Sequence, residues 1–262
     1  MEFLQWALPR LGLRWAGFRK VRRQVCRRIA RRLVELGVPD LRAYRDHLDS
    51  NPDEWASLSR LTPITISRFY RDRGVFAALE AYVLPALAEA ARESGRVSAW
   101  SAGCASGEEA YTLALVWQEI LAAKFPGLDL DVLATDIDSA MLRRAHHASY
   151  GASSLKELPD ALRERGFDRH GERYVVRPQL RRHVRVRAHD LRADPPSGPF
   201  DLVLCRNVAF TYFALGCQRA VLAKLAGALA PRGALVIGVH ERLPEPVLEP
   251  WPAFRGIFRA PA

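Results

Sequence analysis

The stretch Trp100-Ser101-Ala102-Gly103-Cys104-Ala105-Ser106-Gly107-Glu108-Glu109 is the part of the sequence that decides the fold. It follows a short apolar run, Val97 to Trp100, that predicts a strand, and it precedes a run, Ala110 to Leu121, that predicts a helix. Small residues at such a junction let the backbone turn tightly and approach a ligand closely, and the start of the helix presents unpaired N–H groups. The stretch therefore predicts an α/β unit with a ligand at the strand–helix junction.

The next predicted strand, Leu130 to Thr135, ends on Asp136. A carboxylate in this place is where a nucleotide-binding α/β unit positions an acceptor for ribose hydroxyls. The chain has no GxGxxG and no GK[ST] motif here, and Glu108 and Glu109 at the helix start would repel a pyrophosphate. A ligand with a ribose and a cationic end fits better, so the residues point to S-adenosylmethionine rather than NAD or ATP.

Further predicted strands alternate with helices along the rest of the chain. They cover Val184 to Ala188, Leu202 to Arg206 and Ala234 to Val239. This alternation predicts an α/β fold of the Rossmann type, with a mostly parallel sheet and helices on both faces. Between about residues 150 and 183 a helix, Leu155 to Phe167, and an edge hairpin around Arg173 to Arg177 break the alternation and predict a small β insert.

The first 75 residues predict a small all-helical domain with a linker, and residues 76–262 predict the α/β domain. Helices are expected over Leu41 to Leu48 and Pro52 to Leu61, and a strongly basic helix precedes them. Asp40 is a plausible N-cap, and Gly37 is suited to end the basic helix.

The basic helix carries much of the net charge of +10, because eight of the fourteen residues from Arg19 to Arg32 are basic. An apolar face recurs every four residues within it, at Val21, Val25, Ile29 and Leu33. The arginines form either a solvated face or a docking surface for an acidic protein, an anionic lipid or nucleic acid. Nucleic acid is the weakest of these partners, since no aromatic residues for base stacking are interleaved with the arginines.

The four cysteines are scattered without metal-ligand spacing, which argues for reduced thiols and against a disulfide framework or a metal site. The N-terminal apolar run is interrupted by Pro9, Arg10 and Arg14, which is unlike a signal peptide. No segment has the length and apolarity of a membrane span. These features predict a cytoplasmic protein, and the lack of a long apolar surface stripe predicts a monomer.

Four sequence blocks together resemble the CheR-type chemotaxis methyltransferases, which methylate glutamate side chains of bacterial chemoreceptors with S-adenosylmethionine. The similarity runs in order from about Gly12 to Glu241. The blocks are the Trp100–Glu109 stretch, Ile64-Thr65-Ile66-Ser67-Arg68-Phe69-Tyr70-Arg71-Asp72, Ala134-Thr135-Asp136-Ile137-Asp138, and Phe200-Asp201-Leu202-Val203-Leu204-Cys205-Arg206-Asn207-Val208.

The resemblance implies a role for several residues toward the cofactor. Gly103 and Glu108 would hold its methionine part, since a carboxylate suits an α-amino group. Asp136 would bind the ribose, and Asp190-Leu191 would contact the adenine. Glu109 is interpreted either as a first-turn acid that the helix dipole favours or as part of the site.

The resemblance implies cofactor contact for two further residues. Thr65 and Ser67 stand where the family usually has Asn and Thr, and both keep a polar group, so contact with the cofactor is expected to survive.

The resemblance also implies roles at the reacting end of the site. Arg206 and Asn207 match a strand-end pair beside cofactor and substrate, and Arg71 matches a linker arginine that closes over the active site; all three are expected to contact the cofactor. Tyr212 is the candidate for a tyrosine beside the acceptor. Arg71 and Arg206 would then bind a carboxylate that Tyr212 orients, and no metal is required.

Departures from the family pattern fall on the acceptor side. The run Ala209-Phe210-Thr211-Tyr212-Phe213 carries one residue more than is usual, which shifts the wall beside the transferred methyl group. Gly238-Val239-His240-Glu241 replaces the usual Gly-His-Ser-Glu, and Pro231-Arg232-Gly233 replaces Pro-Gly-Gly. The loop Asp168 to Arg173 is also short, unlike that of members that tether to a receptor tail.

Three functions remain in competition at this point. The leading expectation is O-methylation of a carboxylate, by family default a glutamate of an acidic helical protein such as a chemoreceptor, with S-adenosylhomocysteine as the product. A second is methylation of a small carboxylic acid on the same scaffold, which the acceptor-side departures support. A non-enzymatic binding module is the third, and the persistence of Arg71, Arg206 and the cofactor loop opposes it.

Overall fold

The computed structural model describes residues 2–252 and 254–261 of the chain. The α-helices run over α1 (Glu2–Arg10), α2 (Trp15–Phe18), α3 (Arg22–Leu36), α4 (Leu41–Ser50), α5 (Pro52–Leu61), α6 (Arg73–Ala78), α7 (Leu84–Ala90), α8 (Glu108–Val116), α9 (Ser139–His147), α10 (Asp160–Gly166), α11 (Pro178–Arg181), α12 (Ala209–Tyr212) and α13 (Leu215–Gly227). The strands are β1 (Arg96–Ala102), β2 (Asp129–Asp136), β3 (Ser149–Gly151), β4 (Phe167–His170), β5 (Arg173–Val176), β6 (Val184–Ala188), β7 (Phe200–Cys205), β8 (Leu229–Ile237), β9 (Glu249–Pro250) and β10 (Ile257–Arg259). Single π-helical turns, Leu79–Val83 and Trp117–Leu121, join α6 to α7 and extend α8.

Seven strands form one sheet in the order β6-β2-β1-β7-β8-β10-β9. The first five are parallel, and β10 and β9 add an antiparallel edge. The predicted mostly parallel sheet of Rossmann type is therefore confirmed. Chain order reverses between β1 and β7, and at such a switch point an open α/β sheet binds its ligand beyond the carboxyl ends of the strands.

Both faces of the sheet are buried, which explains the continuous apolar strands. Along β7 the residues alternate, with Leu202 and Leu204 packing in one core and Val203 and Cys205 in the other. Strands covered on both faces read as uninterrupted apolar runs, as expected for a parallel sheet between helical layers.

The predicted β insert is present as a three-stranded antiparallel sheet in the order β3-β5-β4. The predicted helix Leu155 to Phe167 is wrong in its extent, because α10 begins after Pro159 and Phe167 already starts β4. Proline fixes φ and lacks an N–H, so the helix starts beyond it rather than running through it. The short strands β9 and β10 were not predicted.

Helices α1 to α5 pack around a core of their own, built on residues such as Phe18, Tyr44 and Leu58. The expected caps are confirmed: the Asp40 side chain accepts the N–H groups of Arg42 and Ala43, and Gly37 ends α3 in the left-handed conformation. Residues 62–69 carry no helix or strand and connect this bundle to the α/β part.

Candidate cofactor and acceptor site

A cavity of about 280 Å³ lies beyond the carboxyl ends of β1 and β2. One wall comes from the helical bundle, through Leu11, Leu13 and Phe18, and the opposite wall from the loops that follow the strands. The cavity is therefore enclosed only when the bundle and the α/β part are together. A ligand there contacts both parts of the chain.

Asp136 presents a fixed carboxylate to this cavity at the end of β2. Its Oδ2 accepts the N–H of Ala105 at 2.8 Å, and its Oδ1 accepts the N–H of Asp138 at 2.9 Å. Burial raises the pKa of Asp136, although the backbone N–H donors work against that rise. The side chain of Asp138 caps α9 by accepting the N–H groups of Ala140 and Met141, and so leaves Asp136 to the cavity.

The loop after β1 makes its turn at a glycine, Gly103. Gly103 has a φ of +87°, and a Cβ built on it would lie 2.9 Å from a methyl carbon of Val208. The N–H groups of Gly103 and Cys104 both donate to the carbonyl of Thr135 at 2.8 Å, which ties this loop to the end of β2. A side chain at Gly103 would be strained and would crowd Val208, so the loop keeps the cavity open only with glycine there.

The two acids at the start of α8 point to different places. Glu108 is 1% exposed, and both of its carboxylate oxygens accept from the Ser106 hydroxyl, at 2.9 and 2.8 Å. It lines neither of the two cavities of the site, whereas its predicted role was to face the cofactor. Glu109 lines the second cavity and accepts from Ser101 at 2.7 Å.

The guanidinium of Arg206, directly after β7, forms ion pairs with two acidic side chains. Its Nη1 donates to Glu109 at 3.0 Å, and its Nη2 donates to Asp72 and to the carbonyl of Arg71, both at 2.8 Å. The side chain is 3% exposed and lies over the ring of Phe76. Of the two carboxylates that hold this guanidinium, that of Glu109 also borders a second cavity.

A second cavity, of about 40 Å³, adjoins the first across Gly103 and Val208. Arg71 and Asn207 line it together with Glu109. Arg71 is half-buried, and one nitrogen of its guanidinium donates to the carbonyl of Ile66 at 2.9 Å. Among the hydrogen bonds of the described residues this is the single one from its side chain, so the remaining N–H groups of Arg71 can bind an anion.

Asn207 is fixed in an unusual conformation by a buried acid. It has a φ of +58°, and its backbone N–H donates to Oε2 of Glu241 at 2.8 Å. The same oxygen accepts the N–H of Gly238 at 2.7 Å, and Oε1 accepts the Thr211 hydroxyl at 2.6 Å. Glu241 has no predicted role, although an acid that closely follows the predicted strand Ala234 to Val239 is the signal that could have found it.

The other predicted residues surround the larger cavity. Asp190 and Leu191 line it, as do Thr65 and Tyr212, whereas Ser67 lines the smaller one. Burial raises the pKa of Tyr212, so its phenol is neutral near pH 7 and keeps its donor proton. Tyr212 and Arg71 line different cavities of the site, but the positive charge of Arg71 lies close enough to the Tyr212 phenol to work against the rise of its pKa.

The carboxylate of Asp190 is hydrogen-bonded by the neighbouring residue Arg192. Arg192 approaches its carboxylate with Nη2 at 2.7 Å and with its backbone N–H at 2.9 Å. Burial raises the pKa of Asp190, but these donors outweigh burial and the pKa is lowered overall. Beside it, His189 packs edge-on against Trp100 and lines the cavity.

The parts of the chain that the structure describes show no group of three or more His, Cys, Asp or Glu side chains arranged to hold a metal. Within 2–252 and 254–261, no helix is both long and apolar enough to cross a bilayer.

The chain matches two family models. Residues 65–250 match the SAM-binding domain of CheR methyltransferases, and residues 20–61 match their all-alpha domain. The chain is 35% identical over 239 residues to a chemotaxis protein methyltransferase of Listeria monocytogenes, which covers 90% of this chain and 87% of that protein. It is also 35% identical over 221 residues to an uncharacterized 104.1 kDa protein of Rhodobacter capsulatus, which covers 84% of this chain but only 23% of that protein.

Among solved structures, the SAM-bound amino pentose methyltransferase of Micromonospora echinaspora is similar at 20% identity, with a TM-score of 0.33, over 67% of this chain and 58% of that one. The two family models together span most of the chain. The chain belongs to the CheR methyltransferase family and is a SAM-dependent methyltransferase.

Proposed function

We propose that this protein methylates a carboxylate oxygen, and that the acceptor is a glutamate side chain of a chemoreceptor-like protein. The observation that carries the proposal is the pair of adjoining cavities that share Gly103 and Val208, with Arg71 on the smaller one. The larger cavity has the size and the fixed carboxylate for a nucleoside, and the smaller one has room for only a few atoms beside an available guanidinium.

The larger cavity would hold the nucleoside part of S-adenosylmethionine. Asp136 would accept hydrogen bonds from the ribose hydroxyls, since each of its oxygens uses only one of its acceptor sites on the backbone. Asp190 and Leu191 would border the adenine, with Thr65 on the opposite wall.

Glu109, rather than Glu108, would bind the α-amino group of the methionine part. It lines the smaller cavity next to Gly103, and its carboxylate would form a charge-assisted contact with an ammonium group there. Ser67 and Asn207 border the same space. Arg206 fixes Glu109 and Asp72, so its own role is to position these acids and not to clamp the acceptor.

The reaction would need alignment more than acid–base help. S-adenosylmethionine supplies a methyl group on a positively charged sulfur. A glutamate carboxylate is ionised near pH 7, so no general base has to remove a proton. Its oxygen would form the new bond to the methyl carbon while the electron pair of the broken S–C bond returns to sulfur, which leaves a methyl ester and S-adenosylhomocysteine.

Arg71 would align the acceptor for this step. Its free N–H groups would bind one carboxylate oxygen and leave the other directed at the methyl group. Tyr212 would help to orient the acceptor from the wall of the larger cavity, because its neutral hydroxyl can donate a hydrogen bond to the acceptor carboxylate. An arginine that holds the acceptor but not the nucleoside should affect turnover more than cofactor affinity.

A protein acceptor is favoured over a free metabolite by the surroundings of the smaller cavity. The Ile66 and Arg68 side chains on its border are 46% and 47% exposed, so this end of the site is open to a macromolecule. The exposed arginines of α3, among them Arg23, Arg27 and Arg31, form no ion pair within the described residues and would dock an acidic helical partner.

The proposal is tested with Arg71→Ala in two assays. We expect loss of methyl transfer to protein carboxylates with S-adenosylhomocysteine affinity changed by less than about threefold, because Arg71 acts on the acceptor. Transfer at the wild-type rate would contradict the role of Arg71. Supplying methyl-labelled cofactor to an extract, and separating proteins from small molecules, distinguishes the protein acceptor from a small carboxylic acid.

A further inference from the structure

The segment Gly12–Phe18 is hydrogen-bonded through its backbone to the turn that carries Tyr212. Leu13 and Phe213 form an antiparallel bridge, the N–H of Arg14 donates to the carbonyl of Tyr212 at 2.8 Å, and the N–H of Ala214 donates to Gly12 at 2.8 Å. These backbone bonds join parts of the chain that are about 200 residues apart in sequence.

The side chain of Arg14 adds two hydrogen bonds to the same turn. Its Nε donates to the carbonyl of Thr211 at 2.9 Å, and its Nη2 donates to the carbonyl of Phe210 at 2.5 Å. Both carbonyls belong to α12, a single turn that ends at Tyr212, so the helix itself offers them no partner. A cation at the carboxyl end of a helix is also favoured by the helix dipole.

Three further contacts fix the same turn from other directions. A Cβ built on Gly17 would lie 2.2 Å from the carbonyl oxygen of Thr211, so α2 approaches the turn as closely as its backbone allows. The ring of Phe18 lies 4.9 Å from the ring of Tyr212, and both line the larger cavity. On the far side, the Thr211 hydroxyl is bound by Glu241 at 2.6 Å.

We propose that Arg14 is a positioning residue, which sets the place of Tyr212 in the wall of the cofactor cavity through the turn Phe210–Tyr212. The inference deepens the proposed function, because it rests on the larger cavity being the cofactor cavity. Arg14 itself does not line either cavity of the site. Its effect on binding must therefore pass through the residues that it holds.

The test is a double-mutant cycle in affinity for S-adenosylhomocysteine, measured by calorimetry. We expect Arg14→Ala to weaken binding about tenfold, and to weaken it no further in a Tyr212→Ala background, because coupled residues are not additive. Arg10→Ala is the matched control, since that guanidinium donates to Trp6 within α1, and it should leave affinity unchanged. A binding constant unaffected by Arg14→Ala, or effects of the two substitutions that simply multiply, would overturn the inference.

Two other variants guard against a mere loss of folding. Arg14→Lys keeps the charge and one donor to the carbonyls, and it should recover part of the affinity. Gly17→Ala pushes on Thr211 from α2 and should weaken binding as Arg14→Ala does, whereas Gly74→Ala, with open space around it, should not. Wild-type affinity in Gly17→Ala contradicts the inference. Because every reading is a binding constant, a wrong acceptor assignment would show separately, as absent transfer with the cycle intact.

Discussion

Replacing the two adjacent acids of α8 one at a time should separate a ligand from a structural acid. Glu109 faces the smaller cavity, and Glu108 is buried with its oxygens on Ser106. Glu109→Gln keeps the shape of the side chain but removes its charge. Glu108→Gln makes the same chemical change one residue earlier, on a side chain that lines neither cavity.

The magnitude follows from the contact that is lost. A hydrogen bond to a charged partner contributes about 1.5–3 kcal/mol. Since 1.4 kcal/mol corresponds to a factor of ten, Glu109→Gln should weaken S-adenosylhomocysteine binding by about 10- to 100-fold. Arg206 keeps Asp72 and the Arg71 carbonyl as partners in that variant, so the site should not collapse.

The assay compares S-adenosylhomocysteine with 5′-methylthioadenosine, which has the nucleoside but no amino-acid part. Glu109→Gln should weaken the first and leave the second within about twofold of wild type, because only the first brings an ammonium. Glu108→Gln should leave the ratio of the two affinities unchanged and lower the melting temperature instead. Equal loss for both ligands in Glu109→Gln, or a selective loss in Glu108→Gln, would refute the reasoning.

Three further predictions test the site and the bundle. Gly103→Ala should weaken S-adenosylhomocysteine binding at least about tenfold, because its Cβ would meet Val208, whereas Gly95→Ala, also at positive φ but in open space, should alter stability alone; equal affinities would contradict the crowding argument. Asp136→Asn should weaken the same ligand by about 1–2 kcal/mol through the ribose contact, and calorimetry showing full affinity would exclude that contact. In the bundle, hydrogen bonds from Arg32 lower the pKa of Glu54 below its ordinary 4.5, so their stabilisation is present above that pH and is lost as the pH falls through the lowered value. Denaturant unfolding should therefore show Arg32→Ala destabilised at pH 7, and progressively less so as the pH falls below 4.5; a penalty that does not depend on pH would rule out the ion pair as its cause.

The fold could be predicted from sequence because its signals are local. Asp40 and Asp138 cap helices through N–H groups two and three residues away, and Gly37 ends a helix by its own conformation. The alternation of strands and helices predicts the parallel sheet, because each strand and helix can be recognised from its own stretch of sequence. Strands β9 and β10 are too short to give a periodic signal, and they depend on pairing with β8.

The side-chain assignments of the site were harder to predict. Helix α8 is buried on nearly every side, so apolar periodicity could not show which of two neighbouring acids faces the ligand. Arg206 is predicted to clamp the acceptor, and only the structure reveals that Glu109 and Asp72 bind its guanidinium. Arg14 gave no signal, because its partners are backbone carbonyls almost 200 residues further along the chain.

The most direct test of the central claim is transfer of a labelled methyl group to a purified acceptor. The protein is incubated with methyl-labelled S-adenosylmethionine and the cytoplasmic helical region of a chemoreceptor, either with its glutamates or with glutamine in their place. The account predicts label on the glutamate form only, released as methanol by base, as a methyl ester requires. Label that survives base, or equal labelling of the glutamine form, would contradict carboxylate methylation.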